Sequence, residues 1–150
     1  MIRLRPFTPA DAPKLLAMSH EAGLRRWLPD QVYRDEAHAA EIATKLAAFT
    51  ALPPDPHVRP YVLGVELVES GELIGHVGLS AARGSIEVGY AVEDRMQGRG
   101  IASMAVRAML ELVPLPEVLG IVGEGNAASC RVLEKAGFVK VSDGVYRRQA

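Results

Sequence analysis

A single α/β domain is the fold class this sequence predicts: a mixed, mostly antiparallel sheet of about seven strands flanked by about four helices. Three observations predict it. Two β-rich runs joined by Glu69-Ser70-Gly71-Glu72 read as a hairpin. A third such run leads through a glycine-bearing loop into a long apolar-periodic helix and then another strand, which is a strand–helix–strand crossover. Finally, the 150 residues hold no repeat and no low-complexity tract. The one proline-rich stretch is too short to separate domains, so residues 1–150 read as one unit with one substantial core.

The elements follow in order. Ile2-Arg3-Leu4-Arg5 alternates and reads as a strand. Thr8-Pro9-Ala10-Asp11 is a helix start, with Thr8 as N-cap, Pro9 at the first helical position and Asp11 in the first turn. That helix carries Leu15, Leu16 and Met18 and ends before Gly23, and Arg25 to Asp30 reads as a loop or broken turn. A second helix runs from about Asp35 to Phe49, with Ala39, Ile42, Ala43, Leu46 and Phe49 on one stripe. Leu52 to Pro60 holds four prolines and must be a loop. Tyr61–Val68, Leu73–Leu79 and Gly84–Val92 read as strands.

Ile101, Met104, Ala105, Ala108, Met109 and Leu112 share one helical face, and Pro114 stops that helix. Val118–Val122 is a short strand. Asn126 caps the next helix, which closes at Ala136-Gly137 with Gly137 left-handed. Phe138–Val141 and Val145–Arg147 are terminal strands about a Ser142-Asp143-Gly144 turn.

Composition excludes several classes of function. A net charge of −1 gives no global field for nucleic acid or an acidic membrane. The local pairs Arg25-Arg26 and Arg147-Arg148 read as solvated surface. The lone Cys130 rules out an internal disulfide and suits a reducing compartment. The N-terminus lacks the apolar core of a signal peptide, and no uncharged apolar run approaches the ~20 residues that span a bilayer. The expectation is a soluble, cytoplasmic protein. His20, His38, His57 and His76 show neither metal-ligand spacing nor a motif relation to Cys130. No metal is therefore expected, and Cys130 reads as a small buried residue rather than a nucleophile.

Gln97-Gly98-Arg99-Gly100-Ile101-Ala102 carries the chemistry. Glycines at a helix entry turn main-chain N–H groups inward at the positive end of the helix, which is an anion site suited to phosphate. A Rossmann fingerprint fits poorly, because Ser103 takes the third small position and five residues separate the strand from the first glycine. A P-loop would need Gly-Lys-Ser or Gly-Lys-Thr, and the chain has neither. A side chain at Gly98 or Gly100 would cost about 1–2 kcal/mol if the residue is left-handed.

Strand alternation puts Ile86, Val88, Tyr90 and Val92 on one face and Ser85, Glu87, Gly89 and Ala91 on the other. Glu87 is therefore a carboxylate on a face of small residues: either a solvent-facing strand residue or a general base for an acceptor amine. Asn126 is either a helix cap or a ligand contact.

These segments resemble the GNAT acyltransferases. Val92 and the run Gln97 to Ala102 resemble the family's Gln/Arg-x-x-Gly-x-Gly/Ala acetyl-CoA motif. Asn126 to Phe138 (Asn-Ala-Ala-Ser-Cys-Arg-Val-Leu-Glu-Lys-Ala-Gly-Phe) resembles its late helix and following strand, and Ile86-Glu87-Val88-Gly89-Tyr90 its fourth strand. Ile2-Arg3-Leu4-Arg5-Pro6 and Trp27-Leu28-Pro29 are similar to the branch containing ribosomal-protein N-terminal acetyltransferases.

The resemblance implies the GNAT acyl-CoA fold, with acetyl-CoA as cosubstrate. Main-chain N–H groups from Gln97 to Ala102 would hold its pyrophosphate, with Arg99 either adding charge or simply exposed. The backbone of Ala91 and Val92 would contact the acetyl-pantetheine arm, and Asn126 would hydrogen-bond CoA. Ser129 would lie near the thioester. Glu87 and Ser129 are the catalytic candidates. One departure stands out: many members carry a tyrosine acid where this chain has Leu133.

The implied reaction is acetyl transfer to a primary amine, either a small molecule or a protein N-terminus, by direct attack in a ternary complex. The acyl-CoA thiol leaves with a pKa near ~8.5, so its departure needs little help. An α-amino group, at ~7.7–8.0, is partly neutral at pH 7, whereas a lysine amine at ~10.4 is almost wholly charged. A single candidate base and no evident acid thus favour an α-amino or weakly basic acceptor. Arg25 to Asp35 and Leu52 to Pro60 are expected to line the acceptor side. The sequence leaves room for a homodimer, and for a rival reading as a silent acyl-CoA-binding or regulatory module.

Overall fold

Alternation in Ile2-Arg3-Leu4-Arg5 does what it implies, and the segment forms β1 (Ile2–Arg5) at one sheet edge. The computed structural model describes residues 1–150. Arg3 and Arg5 fix this edge by converging on Glu66 of β2 (Tyr61–Leu67), each at 2.5 Å. Arg5 above all holds the Glu66 carboxyl below its ordinary range. A short 3₁₀ turn, Pro9–Asp11, leads into α1 (Ala12–Ser19), and the Asp11 carboxylate accepts the Thr8 N–H at 2.9 Å. Asp35 caps the N-terminus of α3 (Glu36–Thr50) by accepting the His38 N–H at 2.8 Å.

Between them lies α2 (Ala22–Trp27), where the sequence reads as ending in a loop or broken turn. Six residues give too short a periodicity to register. Tertiary contacts hold this helix: Glu21 at its N-cap accepts the Asp94 N–H at 2.9 Å, and the Trp27 ring lies against Gly123. Leu28 leaves helical geometry before Pro29, whose ring disfavours it there. The helices therefore number five.

β3 (Leu73–Ala82) runs beyond Leu79 and joins β4 (Ser85–Val92) through Arg83-Gly84, both with positive φ (51° and 80°), as a tight hairpin demands. The 3.6-residue pattern of Ile101–Leu112 becomes α4 over those same residues. β5 (Glu117–Ile121), α5 (Ala127–Lys135), β6 (Val139–Ser142) and β7 (Val145–Gln149) complete the chain. Gly137 ends α5 at φ 92°.

The seven strands form one sheet in the order β1-β2-β3-β4-β5-β7-β6, antiparallel throughout except at β4–β5. On one face, α1 and α3 cover seven buried residues including Phe7, Leu15, Ala39 and Leu73. On the other, α4 and α5 cover twenty, including Val65, Val77, Val106, Met109 and Leu133. No helix is long and apolar enough to cross a membrane.

One irregularity positions the site. The β2–β3 register slips between Val65 and Glu66, where Val65 faces Gly75 but Glu66 faces Leu73. The extra residue, Ile74, points into the larger core while Leu73 joins the smaller one. Such a bulge re-aims the strand that follows. Gly75 is obligatory here, because a Cβ would run into the Ala91 carbonyl.

Candidate active site

β4 and β5 meet at a single register pair, Glu87 with Leu119. Beyond it the strands part, and a cavity of about 420 Å³ fills the wedge. Its lining comes from both faces of the sheet. Met18, Leu24, Trp27, Leu28 and His76 belong to the α1–α2 side; Tyr90, Asn126, Ser129, Val132 and Leu133 belong to the α4–α5 side. Small residues keep the passage open: Gly89, Ala91, Gly120 and Gly123 all border it.

The glycine loop lies at one end. Gly98 and Gly100 both take φ 76°, a conformation L side chains resist, and Gly100 is the N-cap of α4. Met104 N–H makes the helix's first backbone bond, to Gly100 O at 3.1 Å. The six preceding N–H groups, Gly98 through Ser103, have no partner within the protein. Unpaired successive amides at a helix N-terminus suit a diphosphate by number, direction and field. Gln97 and Ala102 line the cavity, while Gly98, Arg99, Gly100 and Ile101 do not. The Gln97 side chain donates to the Val92 carbonyl at 2.9 Å and ties the loop to the strand end. Successive strand residues turn their main-chain groups to opposite edges. Glu93 N–H donates to Ile74 O on β3, so the Val92 N–H faces the wedge.

Asn126 meets both readings of its type. Its side chain caps α5 by accepting the Ser129 N–H at 3.2 Å, and the residue borders the cavity. The Ser129 hydroxyl shares a 2.5 Å hydrogen bond with the Tyr90 hydroxyl. Burial lifts the Tyr90 phenol above its ordinary range, against the opposing pull of Ser129, so the phenol keeps its proton at neutral pH. Sequence alternation places Tyr90 on a strand face and no more. Its partner lies 39 residues away on another element, and no local pattern could pair them. Leu133, at the position of the family's tyrosine, is buried against Gly120, whose missing Cβ makes room for it. Cys130 packs partly buried on the larger core, and Tyr146 is buried in it.

On the opposite face, α2 roofs the cavity. It is fastened at one end by Glu21 to Asp94, and at the other by Trp27 on Gly123. Arg26 stacks on the Trp27 ring at 4.5 Å. Glu21, Glu93 and Asp94 line the cavity; no lysine or arginine does. Glu93 is neutralised by Lys14 at 2.5 Å and Arg95 at 2.7 Å, and both cations also pair with Glu72. Glu21 and Asp94 have no ion-pair partner.

Two expected positions fall elsewhere. Glu87 does not line the cavity; it sits level with the last β4–β5 register pair, and Arg83 pairs with it at 3.2 Å beside the β3–β4 turn. Leu52 to Pro60 contributes nothing to the lining, whereas Trp27 and Leu28, from the other expected segment, do.

A family profile described as an acetyltransferase (GNAT) domain matches residues 2–139. Among solved structures, a GNAT-family acetyltransferase from Bacillus anthracis superposes with a TM-score of 0.80 at 17% identity, over 99% of this chain and 94% of that one. A ribosomal-protein-S5-alanine acetyltransferase from Vibrio fischeri gives 0.77 at 19%, covering 99% and 92%. Mycobacterium smegmatis RimJ in complex with CoA-disulfide gives 0.77 at 22%, covering 99% and 82%. Comparison with curated protein sequences gives no match.

Proposed function

The chain belongs to the GNAT acetyltransferase family, and on that premise we propose that it moves an acetyl group from acetyl-CoA to a primary amine by direct attack within a ternary complex. The single observation that carries this reading is the cavity that crosses the sheet. One end runs up to the glycine loop, where Ala102, one of six residues with unpaired amides, lines it; the other is an apolar chamber with no cation and two carboxylates that have no ion-pair partner. A diphosphate-bearing thioester suits the first end and an amine the second.

In this reading, the main-chain N–H groups of Gly98 to Ala102 hold the pyrophosphate, with Arg99 beside them; the Gln97 N–H, expected among them, is taken by the Asp94 carbonyl at 3.2 Å. Ala91 and Val92 flank the pantetheine arm, and the Val92 N–H polarises the thioester carbonyl. Asn126 contacts CoA while capping α5. The Ser129–Tyr90 pair returns a proton to the departing thiolate and takes the place left by Leu133. Glu87 braces the β3–β4 turn through Arg83. The acceptor is a protein N-terminus or a small amine, with an apolar portion against Trp27 and Leu28.

The test mixes the purified protein with acetyl-CoA and a panel of amines: an alanyl tripeptide, putrescine, benzylamine and lysine. Acceptor-dependent release of free thiol, with acetyl-CoA and CoA raising Tm and ATP and NAD leaving it unchanged, is the expected result. Stabilisation by CoA without turnover on any amine would overturn the transferase reading.

A further inference from the structure

We propose that His76 is the base that removes the proton from the acceptor nitrogen as the acetyl group is transferred. The inference rests on the amine-acetyltransferase reading and assigns the proton acceptor that reading lacks.

The placement comes from register. His76 faces Gly64 on β2 and Ala91 on β4, and Gly78 next along its face stands opposite Gly89. The imidazole thus occupies a clearing of glycine and alanine on the α1–α2 face. The space is real, since a Cβ built on Gly89 would touch nothing within 4 Å. His76 lines the cavity as a half-buried ring, and no side-chain hydrogen bond engages either nitrogen, so both stay accessible rather than buried and orphaned. Every other titratable group of the lining is engaged or exposed. Tyr90 is bonded to Ser129, Glu93 is paired with Lys14 and Arg95, Glu21 accepts the Asp94 N–H, and the Asp94 side chain is at the solvent edge. On β2, Glu66 is taken by Arg3 and Arg5.

His76 and the Tyr90–Ser129 pair lie on opposite faces of the sheet, one register step apart: His76 pairs with Ala91, and Val77 with Tyr90. A thioester in the wedge between them would meet the amine from the His76 side and lose its sulfur towards the tyrosine side. The nitrogen lone pair forms the C–N bond and the C–S bond breaks. The nitrogen's proton passes to the imidazole, and the thiolate takes a proton from Ser129–Tyr90. Water then carries the imidazolium's proton away and reprotonates the tyrosine side, so the sum is amine plus thioester giving amide plus thiol. Desolvation pushes the imidazole down to about 4, though the ring is half-buried rather than sealed. It is therefore uncharged at neutral pH and ready to accept. A weak base suffices, because the nitrogen becomes an amide nitrogen during collapse, and a protonated amide nitrogen is a far stronger acid than imidazolium.

The experiment compares wild type, His76→Ala, His76→Gln and Glu87→Gln with acetyl-CoA and the four amines above. CoA-induced thermal shifts serve as the check on folding. Both His76 variants should lose 10²–10⁴-fold in kcat, a range of about the size general-base removal gives, with KM for acetyl-CoA within twofold. Added imidazole should restore part of the His76→Ala rate and none of the His76→Gln rate, whose side chain fills the clearing. Glu87→Gln should stay within threefold of wild type. His76 variants within threefold of wild type, or a loss that imidazole leaves untouched, would overturn the proposal. In parallel, the His76 ring resonances are followed by NMR as benzylamine is added to the CoA-loaded protein. A shift that saturates supports contact with the amine, and none overturns it. Should wild type turn over no amine, the transferase reading falls, and the ring titration still decides whether His76 meets an amine.

Discussion

The two ends of the cavity are built from different materials. The end proposed for the phosphates is main chain: the N–H groups of Gly98 through Ser103 and the left-handed turns at Gly98 and Gly100. The end proposed for the acceptor is side chain: Trp27, Leu28, Met18, Glu21 and His76, brought by α1, α2 with its N-cap, and β3. Main-chain sites need only the right backbone path, which glycine permits and many sequences can supply. Side-chain sites depend on the identity of each residue and on the register that aims it. The first kind suits a ligand shared by a whole family, and the second suits a ligand that sets one member apart.

Four perturbations probe that contrast, in descending size. Gly98→Ala with Gly100→Ala imposes about 1–2 kcal/mol of left-handed strain per site, or about 2–4 together. CoA affinity by calorimetry should fall roughly thirty- to several-hundred-fold while the folded far-UV signal persists. An unchanged Kd would show that the loop is not the phosphate site. Tyr90→Phe removes the hydroxyl bonded to Ser129. Single-turnover rates should drop on the order of ten- to a hundredfold, near the low end for a lost general acid because a thiol leaves readily. A wild-type rate would confine Tyr90 to packing.

Trp27→Ala opens the roof at Gly123. Steady-state kinetics should show roughly a tenfold rise in acceptor KM with no change in CoA affinity, as expected for one truncated aromatic contact. Loss of both affinities would mean that the two ends are not separable.

The fourth perturbation acts on stability, on a separate scale from the binding and rate effects. The folded-state value of His76 lies below its unfolded value of 6.5, so between pH 6.5 and 4 the unfolded chain binds the extra proton and stability falls on acidification. Denaturant titrations at pH 7 and pH 4 should show wild type losing about 1–3 kcal/mol more than His76→Gln across that window. Equal losses would mean that the ring is as well solvated folded as unfolded.

The same contrast explains what could be read from the chain. α4 is legible to the residue because twelve residues of 3.6-residue apolar spacing sit between a glycine and a proline stop. The glycine loop and the Asn126 cap are equally local signals. Strand alternation correctly groups Tyr90 with Ile86, Val88 and Val92, three of which border or pack on the larger core with it. What alternation lacks is position along the wedge, and so Glu87, on the right strand, sits at its closed end while Gly89 and Ala91 border the opening. His76 was invisible for a different reason. Its face depends on the register slip at Val65/Glu66, a property of two strands at once. α2 was hidden because its stability is borrowed from Asp94 and Gly123, which lie far along the chain.

The lone Glu87–Leu119 rung has a mechanical consequence. Hydrogen bonding across the middle of the sheet is thin there, with β1 to β4 forming one leaf and β5 to β7 the other. A molecule lodged in the gap acts as a splint and supplies cross-links that the sheet itself omits. Unfolding cooperativity then depends on what is bound: amides of β5 and β7 exchange with solvent independently of those in β2 and β3 in the free protein, and in step with them once the gap is bridged.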